Sequence, residues 1–191
     1  FIKLAYELSE AYDTPVILRT TTKLSHSQSA VELCDRVEVE DKPYERNVRK
    51  YVMMPASAVG RHLVVEDREN RLAADATTLA INRVEMGDTK IGFITSGLAY
   101  QYVKEIFPEF SILKLGWTNP LPKKLISDFA SSVEKLLVVE ELDPFLEDQI
   151  RAMGIKVVEH KTELNMLELN ADRLQNLRHE LLGDVPEAKV A

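Results

Sequence analysis

The sequence predicts an α/β protein built on a mainly parallel sheet. Three short apolar runs, at residues 91–94, 111–115 and 135–140, are separated by two stretches with helical spacing. That alternation is the pattern of parallel strands joined by crossover helices. The third run, LLVVEE, holds four apolar residues in succession, as a strand covered on both faces does. Each of the first two runs ends in turn chemistry, Ser96-Gly97 and then Gly116 with a Trp-Thr-Asn-Pro-Leu-Pro loop. The loops therefore gather at the carboxyl ends of the strands, where such sheets place ligands.

Taken in order, the chain opens with a helix over Ile2–Tyr12 that turns Ile2, Leu4, Ala5 and Leu8 inward. It opens at Phe1 with no Met, signal peptide or leading strand, so the expectation is a chain cut from a longer protein. Pro15 starts an expected strand, PVILRTTT, rich in good strand formers. A polar turn, LSHSQSAVEL, leaves it. Residues 34 to about 59 are charged and broken by Pro43 and Pro55, which predicts a linker contacting a surface through Tyr44, Tyr51, Val52, Met53 and Met54. One long helix is expected over 58–82, capped by Ser57, with Leu63, Val64, Leu72, Ala76, Leu79 and Ala80 on its apolar face.

Pro122 suits the first turn of the helix after the second strand. After the third strand, Asp143 is placed to cap a helix with Pro144 in its first turn, ending near Gly154. IKVVEH, residues 155–160, reads as a fourth strand. Asn170 or Asp172 caps a last helix ending at Gly183, and the tail DVPEAKVA is expected to be loose.

Composition narrows the function. With 24 basic against 31 acidic residues, the net charge of −7 argues against nucleic-acid and anionic-membrane partners. No run approaches 18 apolar residues, so no transmembrane helix is predicted. A single cysteine, Cys34, excludes an internal disulfide and a cysteine-ligated cluster within this chain, and a reduced, cytoplasmic setting is expected.

Few residues point to chemistry. LRTTTKLSHSQ, residues 18–28, gathers hydroxyls, Lys23 and His26 into a set able to hold a carboxylate or carbonyl oxygen. The plainer reading is an exposed polar edge with a Ser-rich turn. His26 has no orienting acid at triad spacing, and His62, His160 and His179 are scattered, so no metal site is expected. Glu140-Glu141 stand at a strand end, either as functional carboxylates or as the cap of the next helix. Thr95-Ser96-Gly97 can offer backbone N–H groups to an anion, or simply make a tight turn. Trp117 suggests a packed domain or subunit contact.

Four motifs, TPVILRTTTKLSHSQ, KIGFITSGLAYQYVKE, LKLGWTNPLPKKLISDFA and LLVVEELDPFLEDQI, together resemble the large subunit of indolepyruvate:ferredoxin oxidoreductase. The resemblance implies a transketolase C-terminal-like, three-layer αβα domain over residues 90–165, preceded by a remnant of the pyrimidine-binding domain over 1–33. Residues 34–89 would be the linker and connecting helix, and 166–191 a helix and tail leading to an absent diphosphate-binding domain. It implies a parent enzyme that oxidatively decarboxylates aryl 2-oxoacids such as indolepyruvate to the acyl-coenzyme A, with ferredoxin as acceptor. Its cofactors would be thiamine diphosphate with magnesium and iron–sulfur clusters, and its partners a smaller subunit, ferredoxin, coenzyme A and the 2-oxoacid. Lys23-Leu24-Ser25-His26 matches an Arg-Thr-Ser-His motif that holds the substrate carboxylate in related pyruvate enzymes. Lys23, Ser25, His26 and neighbouring Thr22 are thereby implied in substrate binding, with Lys23 giving a looser contact than the family's arginine. No catalytic residue is expected within this chain. It has no Gly-Asp-Gly…Asn motif and one cysteine, so it is expected to bind no cofactor and to be inactive alone. The alternative is a non-catalytic structural or subunit-interaction module of another 2-oxoacid:acceptor oxidoreductase.

Overall fold

The three apolar runs become three parallel strands whose two faces are both covered. The computed structural model describes residues 1–160, 162, 164 and 166–183, and the expected loose tail lies outside them. The chain divides into two units, Phe1–Asn70 and Arg71–Ala191.

In the second unit, β1 (Arg83–Glu85), β2 (Asp88–Ser96), β3 (Phe110–Leu115) and β4 (Lys135–Val139) form one sheet in the order β1-β3-β2-β4. β2 pairs in parallel with both β3 and β4, while β1 runs antiparallel along β3. Alternation splits the strands between two cores. Ile91, Phe93, Ile112, Leu137 and Val139 pack with α5 (Ala99–Ile106) and α8 (Ala171–Leu182). Ile94, Leu113, Leu115, Leu136 and Val138 pack on the other face with α6 (Lys123–Ser131) and α7 (Phe145–Ala152). This is the expected three-layer αβα arrangement with a mainly parallel sheet.

Each helix presents one apolar face at helical spacing. α5 buries Ala99, Tyr100, Val103 and Ile106. Pro122, expected in the first turn of α6, instead stands one residue before it, as the N-cap. α8 starts at Asn170, whose Oδ1 accepts the Arg173 N–H at 3.0 Å. It ends at Gly183, whose φ of +72° suits a residue without Cβ. Arg178 ties α8 down: its Nη1 donates to the Ile106 carbonyl at 2.9 Å, and its Nη2 reaches Glu109 at 2.6 Å.

Four expectations need correction here. The helix expected over 58–82 is α4, Pro55–Asp75, followed by a 3₁₀ turn over Ala76–Thr78. Ser57 lies inside α4 rather than capping it, and Leu63 and Val64 are exposed while Leu72 and Ala76 are buried. The turn breaks off because Asn82 takes another job: its Nδ2 donates to the Ala76 carbonyl at 2.7 Å, and β1 follows at once. Residues 155–160 form no strand and meet β4 through the backbone bond from the Val158 N–H to the Leu136 carbonyl, at 2.8 Å. Asp143 does not cap α7; Pro144 occupies that position, and the Glu140 carboxylate does the capping.

In the first unit, α1 (Ile2–Tyr12) forms as expected and stops where Asp13 turns left-handed, at φ +51°. No residue of 1–70 is buried, however. Ile2 is exposed, and Leu4, Ala5 and Leu8 are only half-buried. The strand expected from Pro15 is not formed: Ile17 is 91% exposed, and the segment runs without regular structure into α2 (Thr22–His26). Strand propensity needs a neighbouring strand to satisfy the backbone, and among the described residues none pairs with it. The five linker side chains are likewise exposed, with Tyr44 stacked on Tyr51 of α3 (Val48–Tyr51) at 6.4 Å. Asp13 links the unit's helices: Lys50 Nζ donates to it at 2.6 Å, Arg61 approaches at 3.6 Å, and Arg68 donates to its carbonyl at 2.6 Å. Lys50 foremost holds the Asp13 carboxyl below the usual carboxylate range. Such half-exposed pairs add little stability.

Burial therefore places the stability of the chain in the second unit. Phe93 is fully buried, its ring 4.5 Å from Phe107 and 6.3 Å from Phe110. Phe93→Ala is expected to cost about 3–5 kcal/mol in equilibrium denaturation, whereas Ile17→Ala should change stability by less than about 0.5 kcal/mol. Comparable losses from the two would contradict this assignment of the core.

Candidate functional site

Two places answer to the sequence's candidates, and they are built differently. The first is α2, a single helical turn. Thr21 caps it, its Oγ1 accepting the Leu24 N–H at 3.3 Å. Ser27 closes it, donating from Oγ to the Leu24 carbonyl at 2.7 Å. Thr22, Ser25 and His26 are three and four residues apart, so they share one side of the turn, and all three are exposed. Lys23 is half-buried. Ser25 Oγ lies 3.4 Å from Thr20 Oγ1, a weak hydroxyl contact. The short turn thus gathers an ammonium, an imidazole and hydroxyls within five residues, a set that can meet a carboxylate.

The second place is the carboxyl end of the sheet. α5 leaves β2 toward one face and α7 leaves β4 toward the other, so a topological switch point lies between the ends of β2 and β4. At the β2 end, Gly97 turns with φ +55° before α5. Thr95 is fully buried, and its Oγ1 has no hydrogen-bond partner. At the β4 end, Glu140 is buried, with its Oε2 accepting the Leu146 N–H at 2.8 Å and its Oε1 the Glu147 N–H at 2.9 Å. Glu141 Oε1 accepts the Leu169 N–H at 2.9 Å. Both carboxylates are therefore engaged by backbone: Glu140 caps α7, the alternative that the sequence left open, and Glu141 holds Leu169 ahead of α8.

Burial pushes the Glu140 carboxyl above its ordinary range, although its two backbone hydrogen bonds pull the other way. Trp117 follows β3, and Asn82 holds its loop. The Asn82 Oδ1 accepts from the Gly116 N–H at 2.9 Å and the Trp117 N–H at 3.0 Å. A Cβ on Gly116 would lie 2.5 Å from the Ile81 carbonyl oxygen, so the loop admits only glycine there. Asn82 was not legible as a site residue, because the loop it holds begins 34 residues further along the chain.

Among the described residues, no group of three or more His, Cys, Asp or Glu could hold a metal ion, and Cys34 is exposed. One thiolate cannot supply the ligands of an iron–sulfur cluster, and the acids at the sheet's end are turned to backbone amides. Among the described residues the donor set does not fit a cluster or a magnesium diphosphate. No described helix is long and apolar enough to cross a membrane.

Known proteins define what this domain is. In solved structures it resembles a 2-oxoglutarate:ferredoxin oxidoreductase from Magnetococcus marinus, with a TM-score of 0.52 over 67% of this chain and 24% of that one. At 20% identity the likeness shows the fold: an αβα domain of the kind found in 2-oxoacid:ferredoxin oxidoreductases. No family model matches the chain.

Sequence comparison is more specific. Indolepyruvate oxidoreductase subunit IorA from Archaeoglobus fulgidus is 35% identical over 97% of this chain. The IorA subunits of Methanothermobacter thermautotrophicus and Thermococcus kodakarensis are 39% and 33% identical over 81% and 85% of it. The chain belongs to this family of 2-oxoacid:ferredoxin oxidoreductases, as its four motifs suggested. It spans 31%, 26% and 28% of the length of those three relatives.

Glu140 gives a pH-dependent test of the cap. Because its folded value is raised, the folded chain binds its proton more readily than the unfolded chain does. Its contribution to stability is full in acid and declines as pH rises from the ordinary carboxylate value through the raised one. Glu140→Ala should destabilise by about 1–3 kcal/mol at the acid end of that window, since the capped N–H groups of Leu146 and Glu147 lose their acceptor. The difference from wild type should shrink as pH rises. A difference that grows with pH in denaturant titrations would contradict the burial of this carboxyl.

Proposed function

We propose that this chain is the middle portion of the large subunit of an indolepyruvate-type 2-oxoacid:ferredoxin oxidoreductase. The match to IorA subunits over most of its length carries the reading. The whole protein would oxidatively decarboxylate an aryl 2-oxoacid to its acyl-coenzyme A and pass electrons to ferredoxin, beside a smaller subunit, in a cytoplasmic setting. Thiamine diphosphate with magnesium and the iron–sulfur clusters would be held by other parts of that protein, because the donors here do not suit them. On this reading residues 1–33 close a pyrimidine-binding domain and 90–165 form a transketolase C-terminal-like domain. Residues 34–89 connect the two, and 166–191 lead onward.

What this chain contributes is a hold on the substrate. The Lys23 ammonium pairs with the 2-oxoacid carboxylate, and Thr22, Ser25 and His26 offer hydrogen bonds from the same turn. The exposure of that side of α2 supports a role toward a ligand rather than in a core. A second reading, a structural and subunit-interaction module with no contact to substrate, is favoured by Glu140 and Glu141 being engaged by backbone amides.

Lys23→Ala in the whole enzyme separates the two. Loss of a charge-assisted contact should lower kcat/KM by about tenfold or more, with the change mainly in KM, and Lys23→Arg should restore much of it. Unchanged kinetics in both variants would leave the interaction reading standing. The chain alone is expected to show no turnover with 2-oxoacid, coenzyme A and ferredoxin.

A further inference from the structure

The sheet ends on one side at β1, and that edge is bare. β1 stands last in the order β1-β3-β2-β4 and pairs only with β3. Among the described residues, no strand or loop backbone bonds to its outer side. A row of unpaired N–H and C=O groups is a template for a further strand. Proteins commonly guard such an edge with lysine or proline, or keep it short. β1 is short, but it carries neither residue type. It shows Val84 at 42% exposure, with Met86 just beyond it at 55%.

The charges on that edge favour one partner in particular. Arg83 and Glu85 are two residues apart, so both side chains leave one face of the sheet while Val84 leaves the other. On their face both meet Tyr100 of α5. The Arg83 guanidinium lies 5.8 Å from the centre of the Tyr100 ring. Glu85 accepts the Tyr100 hydroxyl proton at 2.6 Å and pairs with Lys104. These contacts hold the two side chains in place before a partner arrives, so less freedom is lost on association.

We propose that β1 pairs with β1 of a second copy of this chain, antiparallel and centred on Val84. In that register Arg83 stands opposite Glu85 of the second copy, and Glu85 opposite its Arg83. Both cross-strand pairs then join opposite charges, whereas parallel pairing in register would set like charges together. The two valines meet at the two-fold axis on the other face. Arg-Val-Glu is complementary to its own reverse, as an isologous contact requires. Four strands from each copy make one sheet of eight. The parallel strands of the two copies run in opposite directions in it, so each copy keeps its own switch point. A three-residue edge buries little area, so the dimer is of the weak, concentration-dependent kind. The inference is independent of the substrate role of Lys23, since it concerns only the second unit.

Sedimentation equilibrium of the 191-residue chain tests the pairing. Between about 10 μM and about 0.5 mM, the average mass should climb from 21.7 kDa toward twice that value. Arg83→Glu sets carboxylates opposite one another on both sides of the axis. Val84→Lys sets two ammonium groups together at the axis itself. Each substitution should raise the dissociation constant by about tenfold or more. Both positions are exposed, so the variants should keep the wild-type circular dichroism, and either one serves if the other misfolds. A chain that stays at 21.7 kDa throughout would overturn the proposal. So would association that neither substitution weakens, which would place self-association on another surface.

Discussion

β2 is the element on which everything else in the second unit depends. It is the strand with a parallel partner on each side, β3 and β4, and its side chains feed both cores in turn. Phe93 and Ile94, neighbours in sequence, sit on opposite faces and are both fully buried. The constraint is geometric: a strand flanked by parallel partners must be covered above and below, because its crossover helices lie there. α5 and α8 supply one cover and α6 and α7 the other. The direction in which each connection leaves β2 and β4 creates the switch point at their carboxyl ends.

Much of this was legible because short apolar runs carry their own explanation. The runs at 91–94, 111–115 and 135–140 read as strands, LLVVEE as one covered on both faces, and all three are strands. A cap and a stop were equally legible at Asn170 and Gly183. What was missed involves partners distant in sequence. β1 is three residues long, RVE, and is a strand only because β3 lies beside it. PVILRTTT has the better composition and no partner, so it stays extended and exposed. Propensity favours a strand, but a neighbour makes it one.

The same logic governs the polar residues. Glu140 and Glu141 were read as either site or cap, and the deciding facts are the amides of Leu146, Glu147 and Leu169, the last 28 residues away from Glu141. Asn82 organises the Gly116–Trp117 loop from 34 residues upstream. The Lys23–His26 turn was legible through its resemblance to a substrate-binding motif. The Arg83–Glu85 edge was not, since only pairing with β3 makes those residues a strand.

The account therefore assigns the order of the chain to β2 and its covers, and leaves residues 15–26 as surface backbone. Amide hydrogen exchange on the chain tests this most directly. The amides of Phe93, Ile94 and Thr95 should exchange slowest, near the rate of global unfolding, while those of 16–21 exchange at rates close to an unstructured peptide. Protection over 16–21 equal to that of β2 would contradict the account.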